Sequence, residues 1–227
     1  MHKLQTIADE IRAAFDAQTT ARDQALSQAR TLTRHCALAI RAVHRDDLDG
    51  MRENLAAAIG LANTLREGLA DYPDLYYAGY TQDALKEFVE ANATCALIKD
   101  QHLPTPKELD VPHATYLNGL AEVVGELRRR SLDILRHGYS QEAERLLGHM
   151  DEIYSVLVAM DYPDAITNGL RRQTDVARSL IERTRGDVTF SLRGEHLEQS
   201  ISKLARQLGE ETAEAPMKLR PGQDADD

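Results

Sequence analysis

The chain has 227 residues, a formal net charge of -10, and no tryptophan. This length suits one large domain with its own core, and the acidic balance argues against non-specific nucleic-acid binding over the whole surface, though not against a local basic groove. No apolar run approaches the ~20 residues of a membrane span. The N-terminus also lacks the apolar segment of a signal peptide, so we expect a soluble, cytoplasmic protein that makes no membrane contact.

The composition, rich in Ala, Leu, Glu, Arg and Gln, favours an all-α fold. Apolar spacing predicts a first helix over residues 4–44, followed by a break at 46–50 that carries a capping aspartate. A second helix ends near Leu69, ahead of Pro73, because proline disfavours helix at the residue before it. A third begins near Tyr76 or Thr81 and ends at Lys99.

The second half of the chain predicts four more helices. They cover residues 113–136, 141–160, 165–185 and a last stretch from about 190 or 195 to 208. Gly138 marks one helix end, and Gly186-Asp187 is expected to interrupt the chain between the last two helices. Short joints predict a seven-helix antiparallel bundle, a single domain over 1–208. Residues 209–227 form an acidic tail for which we expect disorder.

Two acidic stretches carry the chemistry. Glu87 and Glu90 lie three residues apart in the third predicted helix, and Glu122 and Glu126 lie four apart in the fourth. Residues at these spacings share a helix face. Carboxylates on faces that also carry core residues are costly unless protons, arginines or a divalent metal compensate them. A solvated helix face is the alternative explanation.

Basic and aromatic residues offer contacts to a polyanion. Arg128, Arg129 and Arg130 follow Glu126 directly, and they either contact RNA phosphates or a neighbouring subunit, or cap a solvated helix end. Arginines also recur along the first helix, where phosphate binding and structural ion pairing are equally compatible with the pattern. Tyr80 is a candidate for stacking on bases, with packing as the alternative.

The cysteines and histidines suggest no site of their own. Cys36 and Cys95 both stand in apolar helical surroundings, which predicts two small buried side chains. The histidines are scattered without metal-ligand spacing, so the sequence assigns them no catalytic role.

Two segments resemble the translin family. Residues 116–129, YLNGLAEVVGELRR, resemble the family signature of Tyr-Leu, Gly, a short apolar stretch and Gly-Glu-Leu with a nearby Arg. Residues 87–91, EFVEA, resemble the corresponding Glu-Tyr-Val-Glu-Ala of the Trax branch (translin-associated factor X), a glutamate pair that translin itself lacks. Weaker similarity extends over residues 21–204.

The resemblance implies an all-helical protein that assembles, with translin or with itself, into a hollow octameric shell. It also implies that the protein cuts single-stranded RNA in the presence of Mg²⁺. The family's catalytic carboxylates fall on Glu87, Glu90 and Glu122, and Glu122 stands where the family has aspartate. Glu binds Mg²⁺ through the same carboxylate oxygens, so the substitution lengthens the side chain by one methylene and keeps the type of donor atom. Glu126 is expected as a further metal ligand or as a structural acid paired with Arg129. Mn²⁺ is a possible substitute for Mg²⁺.

Two other functions stay open on the sequence. One is a non-catalytic translin-like shell that binds RNA or single-stranded DNA. The other is a helical di-iron protein, which ranks low because its Glu-x-x-His pairs are missing from the chain.

Overall fold

The computed structural model describes residues 2–214, with side chains described over 3–208, and every regular element in that range is a helix. The elements are, in chain order, α1 His2–His44, α2 Leu48–Gly68, α3 Pro73–Tyr76, α4 Gly79–Ile98, α5 Pro106–Leu109, α6 His113–Leu135, α7 Gln141–Ala159, α8 Asp164–Thr167 and α9 Leu170–Glu214. Six of these helices are long, and the three short ones occupy joints. The all-α prediction is confirmed. No helix in the described range combines the length and apolarity that a membrane crossing requires.

Local signals explain where the helices begin and end. Asp47 caps α2 by accepting a hydrogen bond from the backbone N–H of Gly50 at 2.9 Å. Thr105 and Glu108 form a capping box at α5, and Ser140 caps α7 through Glu142 N–H. Gly138, with φ of 110°, allows the turn between α6 and α7. The predicted break around Gly138 is therefore confirmed, and the break predicted at 46–50 is present but shorter, over 45–47, because α2 begins at Leu48.

The pairing of α4 with α6 forms the centre of the bundle. α4 packs against α1, α2 and α6, whereas α6 also packs against α7 and α9. Phe88, Val89 and Leu127 are fully buried along these contacts. Gly119 marks the closest approach, since a Cβ there would lie 2.7 Å from Val89 Cβ and 2.9 Å from the Lys86 carbonyl oxygen. The missing side chain lets α4 and α6 pack closely against each other.

The predicted interruption at Gly186-Asp187 is wrong, because α9 runs unbroken through both residues. Glycine in a helix costs only about 1 kcal/mol relative to alanine. Tertiary contacts offset that cost: Thr184 and Val188 are buried, and Arg128 Nη1 on α6 donates to both Thr184 Oγ1 and Asp187 Oδ2 at 2.9 Å. The sixth and seventh predicted helices are one helix.

The two cysteines are buried, as the sequence predicts, whereas the structure describes only the first residues of the predicted tail. Cys36 and Cys95 are buried and free, and burial raises the pKa of each thiol to about 12. α9 extends past its predicted end at Leu208, as far as Glu214. The remainder of the acidic tail, residues 215–227, lies outside the described residues.

Candidate metal centre

Three glutamates converge where α4 meets α6. Glu87 and Glu90 project from one face of α4, and Glu122 reaches them from α6. Each offers a carboxylate oxygen, and the three oxygens lie within 4.8 Å of one another. All three residues are half-buried. The sequence predicted these residues as candidates, and the structure brings them together.

Their electrostatics show that the group is short of positive charge. Burial, followed by the charges of Glu87, Glu122 and Glu126, raises the pKa of Glu90 to about 8. Burial and the charge of Glu122 also raise the pKa of Glu87. A carboxyl with such a pKa holds a proton near neutral pH, and a bound divalent cation would replace that proton. Hard oxygen donors are those that Mg²⁺ prefers, so these residues fit the ion that the family resemblance implies.

Lys86 is part of the same centre. Its Nζ donates to Glu122 Oε1 at 2.6 Å, and the two side chains are only 21% and 25% exposed. Burial alone would lower the pKa of Lys86, but the hydrogen bond and charge of Glu122 outweigh burial and raise it. The ammonium is therefore a permanent positive charge beside the three carboxylates. The sequence alone does not reveal this partner, because the two residues lie on different helices.

Glu126 lies apart from the three converging carboxylates. Its Oε2 is 2.5 Å from Nε2 of His44 and 3.5 Å from Nη1 of Arg129. The hydrogen bond from His44 is the main reason why the pKa of Glu126 is lowered despite burial. The predicted pairing with Arg129 is present, while the ligand role of Glu126 stays a prediction. His44, whose side chain is 3% exposed, was missed because it stands 82 residues earlier in the chain.

The three arginines after Glu126 have different surroundings. Arg128 ties α6 to α9, as described above. Arg130 pairs with Asp46 at 3.1 Å and with Glu142 at 3.4 Å, and its side chain is mostly buried. Arg129 alone of the three is more than half exposed. Contact with RNA stays a prediction for all three, and the geometry leaves Arg129 most available.

A shallow cavity of about 360 Å³ lies beside Glu87, between α1 and α4. Tyr80, Arg30 and Asp83 line it together with Glu87. The Tyr80 hydroxyl is buried and has no hydrogen-bond partner among the described residues. Arg30, Arg34 and Arg41 are exposed along α1 and make no ion pair within the described part of the chain. An open basic edge therefore lies next to the carboxylates.

Comparisons with known proteins extend this picture. No protein-family model matches the chain. The uncharacterized protein MJ0175 of Methanocaldococcus jannaschii is 33% identical over 192 residues, which cover 84% of this chain and 85% of that protein.

Solved structures give the fold family. A structure described as an AfC3PO–duplex RNA complex has a TM-score of 0.78 at 33% identity, and covers 82% of this chain and 97% of that one. A crystal structure of AfC3PO has a TM-score of 0.77 at 33% identity with the same coverage. Apo-NeC3PO, at 22% identity and a TM-score of 0.74 over 81% of this chain and 96% of its own, shows the shared fold. The chain belongs to the translin family, in which the C3PO proteins fall.

Proposed function

We propose that this protein is a Trax-like, Mg²⁺-dependent endoribonuclease that acts within an oligomeric shell. The observation that carries the proposal is the convergence of Glu87, Glu90 and Glu122 within 4.8 Å, on two helices held together at Gly119. Membership in a family with an RNA-bound structure supports RNA as the substrate class.

Each glutamate has a role in this proposal. Glu87, Glu90 and Glu122 would hold the ion, and a bound Mg²⁺ supplies charge neutralisation at the scissile phosphate and a more acidic water. A glutamate oxygen that does not ligate the ion accepts the proton of the attacking water. His44 and Arg129 hold the Glu126 carboxylate outside this group, where its negative charge still contributes to the raised pKa of Glu90.

RNA would approach along α1. Arg30 lies in the cavity that also exposes Glu87, and Arg34 continues the exposed row. Guanidinium groups without internal partners suit phosphate oxygens. Tyr80 lines the same cavity and offers an aromatic face for a base. The AfC3PO complex contains duplex RNA, so duplex RNA belongs beside single-stranded RNA and single-stranded DNA among the ligands to test.

Self-assembly is supported by unpartnered apolar side chains at both ends of the chain. Leu4, Ile7, Ile11 and Phe15 recur at helical spacing on α1 and are 42–73% exposed. Leu197, Ile201 and Leu204 do the same on α9. Such stripes are typical of helices that pack against another chain. We propose a homo-oligomer, an octamer by family resemblance.

The experiment measures cleavage of end-labelled single-stranded and duplex RNA in Mg²⁺, in Mn²⁺ and in EDTA. The variants are Glu87→Gln and Glu90→Gln, with Glu67→Gln as the control, since Glu67 is exposed on α2 away from the site. We expect metal-dependent cutting that both site variants lose and the control keeps. Cutting that survives in both site variants would refute the assignment of cleavage to these carboxylates.

A non-catalytic RNA-binding shell is the second candidate. Lys86 favours it, because its ammonium already neutralises Glu122 and thereby reduces the need for a metal. Retention of RNA on the wild-type protein without cleavage in any metal would support this function instead.

A further inference from the structure

Lys86 is hydrogen-bonded to Glu122, a carboxylate that a metal ion at this centre would need as a ligand. Its Nζ lies 2.6 Å from Oε1 of Glu122, and Glu122 is one of the three converging carboxylates. We propose that Lys86 is a built-in cation that competes with the divalent ion for Glu122, and that metal binding requires its ammonium to leave. The inference rests on the metal centre of the proposed function and concerns what sets its affinity.

Charge balance supports the competition. Three carboxylates converge, and Lys86 is the ammonium hydrogen-bonded to one of them. A like-charged divalent ion placed among the same oxygens would be repelled by an ammonium only a few ångströms away. Moving Lys86 relieves that repulsion and frees a lone pair of Glu122 at the same time.

The structure also provides a second position for the ammonium. Lys86 also lines a polar cavity of about 150 Å³ that Glu122 does not line. Its lining is Gln82, Asp83, Lys86, Thr115, Asn118, Asn168 and Gln173. Asp83 stands three residues before Lys86 on α4, a spacing at which opposite charges pair on a helix, and the amide side chains add carbonyl acceptors. Lys86 can therefore leave Glu122 without becoming a buried, unpaired charge.

The competition lowers the apparent metal affinity. An ion that binds only when Lys86 is displaced binds with an affinity reduced by the fraction of molecules in that state. Removing the ammonium should therefore tighten divalent-ion binding, whereas removing an ordinary structural lysine should not. We expect Lys86→Met to lower the Mn²⁺ dissociation constant about tenfold or more.

The test is a Mn²⁺ titration of the full chain, followed by the electron paramagnetic resonance signal of free Mn²⁺. Lys99→Met is the matched control, because Lys99 stands at the end of α4, is 22% exposed and pairs with Asp46 at 2.9 Å away from the site. Lys86→Arg retains the charge and should bind Mn²⁺ within about threefold of the wild type. Lys86→Gln retains a donor to Glu122 without the charge, and should tighten binding even if Lys86→Met folds poorly.

Each outcome has a definite meaning. The proposal is supported if Lys86→Met and Lys86→Gln bind Mn²⁺ more tightly than the wild type and if adding Glu90→Gln abolishes this gain. The same conclusion holds if the wild type binds Mn²⁺ too weakly to measure. Equal or weaker binding in both, with wild type still binding Mn²⁺, refutes the competition and leaves the metal centre standing. No binding by wild type or by either Lys86 variant refutes both the competition and the metal centre. Tightening that survives Glu90→Gln would place the ion elsewhere and overturn the inference.

Discussion

Gly119→Ala tests whether the close approach of α4 and α6 holds the site together. The added Cβ would stand 2.7 Å from both Cβ and Cγ1 of Val89, and 2.9 Å from the Lys86 carbonyl oxygen. Val89 is fully buried and the carbonyl belongs to the helix backbone, so neither can turn aside. The helices must separate. Overpacking of this kind costs about 1–3 kcal/mol, and the better helix propensity of alanine returns about 1 kcal/mol.

We therefore expect Gly119→Ala to lower the free energy of unfolding by up to about 2 kcal/mol. Gly125→Ala is the matched control on the same helix, because its Cβ would meet only Leu180 Cδ1 at an ordinary 3.9 Å. This control should be neutral or stabilising by up to about 1 kcal/mol. Urea unfolding followed by circular dichroism, at one protein concentration because assembly couples to stability, separates the two variants. Equal midpoints for Gly119→Ala and Gly125→Ala would refute the close-packing argument.

Three further predictions concern charge and assembly. Because the pKa of Glu90 is raised to about 8 in the folded protein, folding takes up a proton between its usual value and pH 8, so stability in EDTA should fall as pH rises through that window. Glu90→Gln should flatten this slope in urea unfolding, and an unchanged slope would contradict the burial of its charge. Arg128→Met should destabilise the protein by about 1–3 kcal/mol, because the hydrogen bond and ion pair with Asp187 are lost. Adding Asp187→Asn to this variant should cost little more. Additive losses in a double-mutant cycle would show that the two residues are not energetically coupled. Ile201→Glu should reduce the assembly size measured by light scattering, since it charges an exposed apolar stripe, and an unchanged mass would exclude that stripe from the interface.

Local sequence signals predicted much of the fold and the acidic residues of the site, but not their basic partners Lys86 and His44. Capping residues such as Asp47, together with Gly138, marked helix ends because their effect acts within a few residues. The spacing of Glu87 and Glu90 predicted a shared face for the same reason.

Contacts between distant parts of the chain were beyond that reasoning. Lys86 meets Glu122 across 36 residues, and His44 meets Glu126 across 82. Local sequence patterns do not predict such contacts between distant residues. Gly186 gave the opposite error: a local helix-breaking signal was outweighed by the contacts of its neighbours Thr184 and Asp187 with α6. Tertiary packing decides in such cases, since helix propensity differences are small.

The ends of the two longest helices, α1 and α9, differ in stability from the packed body of the protein. α1 before Gln18, which bonds to Asp74 at 2.6 Å, and α9 after Glu198 each continue for about 24 Å, with exposed side chains along the described parts. Such extensions fray when nothing packs on them, because helix propagation alone gains little free energy per residue. In the proposed oligomer, dilution that separates the subunits should therefore shift these ends toward coil while the core around Phe88 stays folded. Helix content would then report association, and dissociation of the proposed oligomer would be a helix–coil transition at the subunit contacts.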